Sequence, residues 1–395
     1  MGCLQRFYTP LYLARWQRAA KRVPYVGVHL VSEFGRREFP GIPAHCVKSA
    51  ATGAELANVG VRRLFGRNRP DWAANLMYLT KARFDAAVSR RLDLKPADVF
   101  IGMYAASRDS FEAVHRRGGL AVLNFVNSYP FEQNRYLFDL AGLKPKHHEL
   151  IPDWVARRVE AELVDADLVF VPSRFVAEQL LAHGVRSEKI ATIPYGVDLG
   201  AFYPSQEPVR EIGEIECLYV GQISHRKGIV VLLQAARRLQ GLSVKFRLVG
   251  PMVSPEVLAD LPENVVYEGP SLPGGVDEVM RHADLFVLPT LEDACALVVL
   301  EAMASGLPVI TTMNNGSGEL IRNNHDGLIV PAGDAEALAE AIRDLVESPS
   351  LRRELGAAAR QKVQGTHSWE TYGKRVLEKI ITRRQELGLD DAIDG

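Results

Sequence analysis

The sequence predicts an α/β protein built from two doubly wound, mostly parallel sheets, and three observations carry that prediction. Short β-rich runs alternate with helix-length segments from about Asp98 onward. The alternation breaks once, at a polar, acid-rich stretch after residue 204, and then restarts. The length of 395 residues, with 47% hydrophobic and 24% charged side chains, fits two soluble domains of ordinary size.

In the first half the elements run VFIGMY, a strand; SFEAVHRRG, a helix; LAVLNFV, a strand; a helix containing DWVARRVEAEL; and the strand DLVFVPS. Ser173 is a good N-cap for RFVAEQLLAHG, and Gly184 a good helix stop. After ATIPYGVDLGAFYP comes SQEPVREIGEIE, which has no apolar period and reads as a linker. The second half gives CLYVG, a tight loop, the helix IVVLLQAARRLQ, VKFRLVG, VVYEG, the helix VDEVMRHA, the strand DLFVLP, the helix LVVLEAMAS and the strand VITT. The two halves share an architecture but no internal sequence repeat. A cleft between the sheets is the expected site, at the carboxyl ends of strands such as CLYVG and DLFVLP.

Charge is divided as the architecture is. Residues 1–200 carry 28 Lys and Arg against 20 Asp and Glu, and residues 201–395 carry 19 against 28, so the overall net of −1 hides two opposite excesses. The early basic residues cluster at Lys21-Arg22, Arg36-Arg37, Arg62-Arg63, Arg67, Arg69 and Arg90-Arg91. They suit either an anionic acceptor or membrane surface, or simply a solvated face. Cys3, Cys46, Cys217 and Cys295 are far apart and form no CxxC, which fits reduced thiols in the cytoplasm. With no signal-peptide run and nothing near the roughly 18 apolar residues of a spanning helix, any membrane contact is expected to be peripheral. No nucleic-acid partner is expected.

Two loops concentrate the chemistry. Gly221-Gln222-Ile223-Ser224-His225-Arg226-Lys227-Gly228 leads from a strand into a helix, is bracketed by glycines, and presents two adjacent cations that could neutralise a leaving diphosphate. An exposed βα turn would read the same way. The other is PTLEDACALVVLEAMASGLPVITT, in which Asp293 and Glu301 stand eight positions apart across a helix start near Leu297, with Gly306 and Pro308 as the stop. Neither Cys295 nor Ala296 is a capping residue, so the first helical N–H groups are open to a ligand phosphate. Glu301, one turn in, leans back toward that end, where a carboxylate suits hydroxyls such as a ribose diol. Asp293, in the loop, could reach a sugar. The plainer alternative makes Glu301 a response to the helix dipole and Asp293 a turn residue. His147-His148-Glu149 is too contiguous for one small ligand sphere, and no metal is expected.

VGQISHRKG, EDACALVVLEAMASGLPVITT, NNGSGELI and DGLIVPAGDAEALAEAI, preceded by ADLVFVPSRFVAEQL and IPYGVD, resemble the nucleotide-sugar half of retaining GT-B glycosyltransferases of family 4. The resemblance runs in order over roughly residues 165–380. It implies a GT-B fold, with two Rossmann-like domains facing across a cleft: residues 1–203 on the acceptor side, 204–370 binding a nucleotide-diphosphate sugar, and 371–395 a helix returning to the first domain. Trp369 would anchor that junction.

The same resemblance implies hexose transfer to a hydroxyl acceptor without a metal. Lys227 would contact the donor diphosphate, Glu301 the ribose, Asp293 the transferred sugar, and the backbone of Leu297 and Val298 the phosphates. Gly221, Gln222, Gly318 and Glu319 would line the donor site. The chain departs from the pattern at two places in the donor site itself and at one on the acceptor side. Asp293 stands where Glu is usual, with Glu292 beside it. Gln222 replaces an Arg, whose charge Arg226 would then supply. The loop Asn124–Pro130 offers Asn127 where a His is usual, as an acceptor-side hydrogen-bond donor or a turn former. The opening MGCLQRFYTPLYLARW resembles the segment after the first strand and helix of such chains. A first strand is therefore expected to be missing, either because the true start codon lies upstream or because the sheet lacks it. A nucleotide-sugar-binding protein or inactive homologue acting as a partner is the alternative function. A sugar phosphorylase or epimerase is disfavoured, because no cofactor lysine or acid pair for it stands out.

Overall fold

The structure, a computed structural model, describes residues 7–9, 47–49, 70–92, 94, 98–144, 147–206, 210–211, 213–270 and 275–389. Apart from residues 7–9, the opening stretch lies outside them, as do Cys3, Cys46 and the basic positions from Lys21 to Arg69. The chain divides into two units, Met1–Ala121 and Val122–Gly395.

In the first unit β1 (Phe7–Thr9) and β2 (Val47–Ser49) pair in parallel. They are followed by α1 (Pro70–Ser89), β3 (Val99–Met103), α2 (Arg108–His115) and the start of β4 (Leu120–Asn124). Asp85 joins the two helices. Its buried carboxylate accepts the N–H groups of Asp109 (2.8 Å) and Ser110 (2.9 Å) and the Ser110 hydroxyl (2.5 Å). The α2 start, whose own N-cap Ser107 makes no side-chain cap bond, is thus satisfied from α1.

The second unit continues with α3 (Pro130–Ala141), α4 (Asp153–Asp165), β5 (Leu168–Val171), α5 (Arg174–Ala182) and β6 (Ile190–Thr192). β4, β5 and β6 run parallel as neighbours, with Val122 opposite Leu168 and Val169 opposite Ile190. Ser173 caps α5 as expected, accepting from Val176 N at 3.3 Å, and Gly184 follows the helix end with φ +81°. Helix α3 begins at Pro130, where only a loop was expected; a proline at the first helical position is the signal for it.

Next come β7 (Ile215–Val220), α6 (Ile229–Arg238), β8 (Val244–Val249), β9 (Val265–Gly269), α7 (Val276–His282), β10 (Leu285–Leu288), α8 (Leu297–Ala304), β11 (Val309–Thr312), β12 (Leu328–Val330), α9 (Ala335–Glu347), α10 (Pro349–Thr366) and α11 (Trp369–Glu386). β7 begins two residues earlier than expected. Ile215 is buried, and Glu216 pairs with Arg247 of β8 at 2.6 Å, so the end of the expected linker already belongs to the sheet.

The apolar run of β10 and the Val-Ile-Thr-Thr of β11 are buried at every residue, as strands covered on both faces must be. The six strands form one parallel sheet in the order β12-β11-β10-β7-β8-β9. The order reverses between β10 and β7, which are adjacent. Loops 221–228 and 289–296 therefore leave neighbouring strand ends at the switch point, where open α/β sheets bind ligands.

Gly228 closes the first of these loops with φ +73°, and a Cβ there would lie 1.9 Å from the Pro289 carbonyl oxygen at the end of β10. Both the left-handed backbone and the contact demand glycine. Gly228→Ala is expected to destabilise the protein by about 2–4 kcal/mol, read as a lower melting temperature; an unchanged melting temperature would contradict this packing.

Ser368 caps α11 through Thr371 N at 3.1 Å, and Arg383 Nε donates to the Asp167 carbonyl, just before β5, at 2.9 Å. Trp369, 44% exposed, sets its ring edge-on to Tyr372 at 5.6 Å and beside Tyr195 at 6.2 Å. Among the described residues no helix is long and apolar enough to cross a membrane.

Candidate functional site at the strand switch point

Backbone and hydroxyl groups join the two loops. Leu291 N and Thr290 Oγ1 both donate to the Arg226 carbonyl, at 2.9 and 3.0 Å, and Thr312 Oγ1 donates to the Thr290 carbonyl at 2.7 Å. The adjacent cations of one loop then meet the adjacent acids of the other. Lys227 Nζ donates to Asp293 Oδ2, and Arg226 Nη1 lies 3.6 Å from Glu292 Oε2 and donates to the Glu292 carbonyl at 3.2 Å. Burial, followed by the Arg226 charge, holds the Lys227 ammonium well below its usual pKa. Asp293 Oδ1 also accepts Cys295 N at 3.3 Å, so this acid is both turn former and ion-pair partner.

Glu292, only 1% exposed, accepts the Ser128 hydroxyl on one oxygen and has no hydrogen bond on the other. The Ser128 bond brings the loop before α3, and with it Asn127, beside the acid pair. Asn127 makes no side-chain hydrogen bond among the described residues, and no Asx-type turn forms there.

The start of α8 is open, though less so than the sequence suggests. Asn315, fully buried, reaches over from the next loop to accept Ala296 N at 3.3 Å and Ser317 N at 3.0 Å. Among the described residues the N–H groups of Leu297 and Val298 have no acceptor. Glu301 lies one turn further in with no side-chain partner among the described residues, and burial alone raises its pKa to about 7. Burial also raises the Cys295 thiol to about 11, so it carries no nucleophilic thiolate at neutral pH.

The other expected site residues are spread over neighbouring loops. Gly221 donates to Val249 O at 2.9 Å in the sheet, while Gln222 is exposed and its carbonyl accepts from the Tyr219 hydroxyl at 2.7 Å. Gly318 opens a short 3-10 turn, and a Cβ there would meet Thr312 O at 2.4 Å. Glu319 is turned elsewhere: its carboxylate accepts Arg174 N at 3.0 Å and Phe175 N, the first two N–H groups of α5. It acts there as a helix cap.

One group that sequence reasoning misses is Glu149. It accepts His225 N (2.9 Å), His225 Nδ1 (2.8 Å), Arg226 N (2.9 Å) and Ser254 Oγ (2.5 Å). Burial would raise its pKa, but bonds from His225, Ser254 and the two N–H groups bring it down to about 2. The Glu149 bond raises His225 in turn. No local pattern announces a contact between residues 76 positions apart. The contiguity argument applied to His147-His148-Glu149 also fails in the fold, because the chain turns there and their ligand atoms lie within 4.8 Å of one another.

Two parallel α/β sheets, one of them with cations, an open helix start and an unpartnered carboxylate at its switch point, define a protein of the GT-B class. Comparison agrees: the structure superposes on sucrose-phosphate synthase from Thermosynechococcus elongatus with a TM-score of 0.64 at 23% identity, covering 79% of each chain. It superposes on Anabaena HepE, solved in complex with UDP and glucose, with a TM-score of 0.59 at 15% identity, covering 93% of this chain and 94% of that one. Residues 205–362 match the model of glycosyl transferases group 1, and residues 28–201 that of glycosyltransferase family 4. The chain belongs to the family 4 glycosyltransferases. A D-inositol 3-phosphate glycosyltransferase of Rhodococcus erythropolis is 29% identical over 251 residues, 58% of this chain and 57% of that protein. The alignment thus spans little more than half the length of this curated relative.

Proposed function

We propose that the chain is a retaining hexosyltransferase that moves a hexose from a nucleotide-diphosphate sugar to a hydroxyl acceptor without a metal at the diphosphate. The observation that carries this reading is Glu301: a half-buried carboxylate with no side-chain partner among the described residues, one turn behind two open N–H groups, on the helix that follows β10, the strand next to the one leading to Lys227 and Arg226. A nucleoside diphosphate answers each feature. Its ribose hydroxyls donate to Glu301, and its phosphates accept from Leu297 N, Val298 N, Lys227 and Arg226. The bond from the anomeric carbon to the diphosphate breaks, a bond to the acceptor oxygen forms on the same face, and the acceptor proton leaves with the diphosphate.

In this reading Asp293 holds a hydroxyl of the transferred sugar, and Gly221 and Gln222 flank the phosphates by their backbone. Gly318 and Glu319 shape the neighbouring loop, and Asn127 faces the acceptor. Residues 1–203 serve the acceptor, 204–370 the donor, and 371–395 return to the first domain. A cytoplasmic location with peripheral contact to anionic membrane through the basic first half belongs to the same proposal, and cosedimentation with anionic vesicles tests it.

The direct experiment measures nucleotide release from UDP-, GDP- and ADP-sugars with and without added Mg²⁺ or Mn²⁺. Acceptor-dependent release from one donor, indifferent to these ions, is expected. Saturable binding without release would instead identify a nucleotide-sugar-binding protein. The two acids are separable. Asp293→Ala is expected to lower turnover ~10²-fold and also to lower the melting temperature, because it leaves Lys227 Nζ and Cys295 N without their acceptor. Glu292→Ala is expected to cost about 1–3 kcal/mol of stability by removing the carboxylate that Arg226 and Ser128 share. If Glu292→Ala abolishes turnover while Asp293→Ala preserves it, their roles are exchanged.

A further inference from the structure

Beside the donor loop, three imidazoles and two carboxylates converge from three segments of the second unit. His147, His148 and Glu149 come from the connection between α3 and α4, His225 from the basic loop, and Glu256 from the 3-10 turn Pro255–Leu258 that follows β8. The rings of His147 and His148 stack at 4.3 Å, and His147 meets His225 edge-on at 5.4 Å. His147 Nε2 lies 3.7 Å and His225 Nδ1 3.9 Å from the same oxygen, Glu256 Oε1. The ligand atoms of His147, His225 and Glu256 all lie within 4.8 Å of one another.

We propose that His147, His225 and Glu256 bind a zinc-type divalent cation, with Glu149, outside that close triad but 2.8 Å from His225 Nδ1, moving in to complete the site. Tetrahedral Zn²⁺ with bonds of about 2.0–2.1 Å sets its ligand atoms roughly 3.3–3.4 Å apart. The separations of 3.7 and 3.9 Å therefore need to close by only about half an ångström. Two imidazoles with carboxylates select zinc, cobalt or nickel over magnesium or calcium, which take all-oxygen sites.

Glu149 Oε1 and His225 Nδ1 stand 2.8 Å apart with a proton between them. The cation takes that proton's place, and the proton passes to solvent. Glu149 keeps its bonds from the backbone N–H groups of His225 and Arg226. Ligation through His147 Nε2 puts the ring proton on Nδ1 and gives up the long 3.3 Å contact from Glu149 N. Ser254 stays between His148 Nε2, at 3.1 Å, and Glu149, fixing the carboxylate from behind.

The ion would tie the segment before α4 to the residue immediately preceding Arg226 and Lys227, and so hold the basic loop in one shape. It stands beside the diphosphate position, which the proposed reaction leaves metal-free, and the inference does not depend on that reaction.

The test uses the full-length, tag-free chain, stripped with a chelator and titrated with Co²⁺, following visible d–d absorption, and with Zn²⁺ by calorimetry. One equivalent is expected, with tetrahedral cobalt bands displaced by Zn²⁺ and not by Mg²⁺. Glu256→Gln, at a half-exposed position that leaves the core intact, and His147→Ala should each weaken binding ~10–100-fold. No saturable binding, or binding that both variants leave unchanged, would overturn the proposal.

Discussion

Lys227→Ala is expected to lower kcat by ~10²–10³-fold, about 3–4 kcal/mol of transition-state stabilisation, and Arg226→Ala by a comparable factor. In the structure Lys227 is committed to Asp293, and its ammonium is destabilised by burial and by Arg226. A diphosphate entering the loop changes that balance, because two more anionic groups meet two cations that share only two close acids. The benefit grows as the bond to the sugar breaks and negative charge collects on the departing oxygen. Removing either cation should therefore cut kcat more than it raises KM. Turnover of the donor identified by nucleotide release provides the measurement. If Arg226→Ala leaves kinetics unchanged while Lys227→Ala does not, Arg226 does not stand in for the arginine that Gln222 replaces.

Glu301 is expected to make the protein sensitive to pH in two opposite ways. Its folded pKa of about 7 stands above the ordinary 4.5, so folding favours the protonated acid. The stabilising contribution is full below about pH 4.5 and is lost as pH rises through 7, at ~1.4 kcal/mol per pH unit, or roughly 3–4 kcal/mol in total. Glu301→Gln should therefore raise the melting temperature at pH 8 and leave it nearly unchanged at pH 4.5. Donor binding runs the other way, since ribose hydroxyls donate to the ionised carboxylate. The affinity for UDP, or for whichever nucleotide the donor carries, should fall up to ~10-fold per unit below pH 7, and Glu301→Gln should bind weakly with little dependence on pH. Calorimetric titration between pH 5.5 and 8 decides the matter, and a wild-type affinity independent of pH would remove Glu301 from the donor site.

The second sheet is legible in the sequence because its strands are short apolar-rich runs and its helices begin and end on recognisable signals. DLFVLP, LVVLEAMAS and VITT fall where β10, α8 and β11 lie, and Ser173 and Gly184 bound α5 as expected. Helix α1 is not anticipated from the sequence, nor is α3, whose first residue, Pro130, closes the stretch read as a loop. The end of the acid-rich linker proves to be strand, because Glu216 is ion-paired with Arg247 of the neighbouring strand. That compensation is invisible along one strand.

Local chemistry alone determined that two adjacent cations follow one strand, that two adjacent acids follow another, and that an apolar helix carrying a single carboxylate begins beside those acids. These are properties of short windows, set by turn residues, capping and periodicity. The tertiary structure decided which charge meets which. It placed β7 next to β10, so that Lys227 faces Asp293 and Arg226 faces Glu292. It turned Glu319 toward the start of α5, supplied Asn315 to the start of α8, and brought Glu149 to the backbone of the basic loop. Each of those contacts joins residues apart in sequence, and only the order of the strands and the packing of their connections fixes their partners.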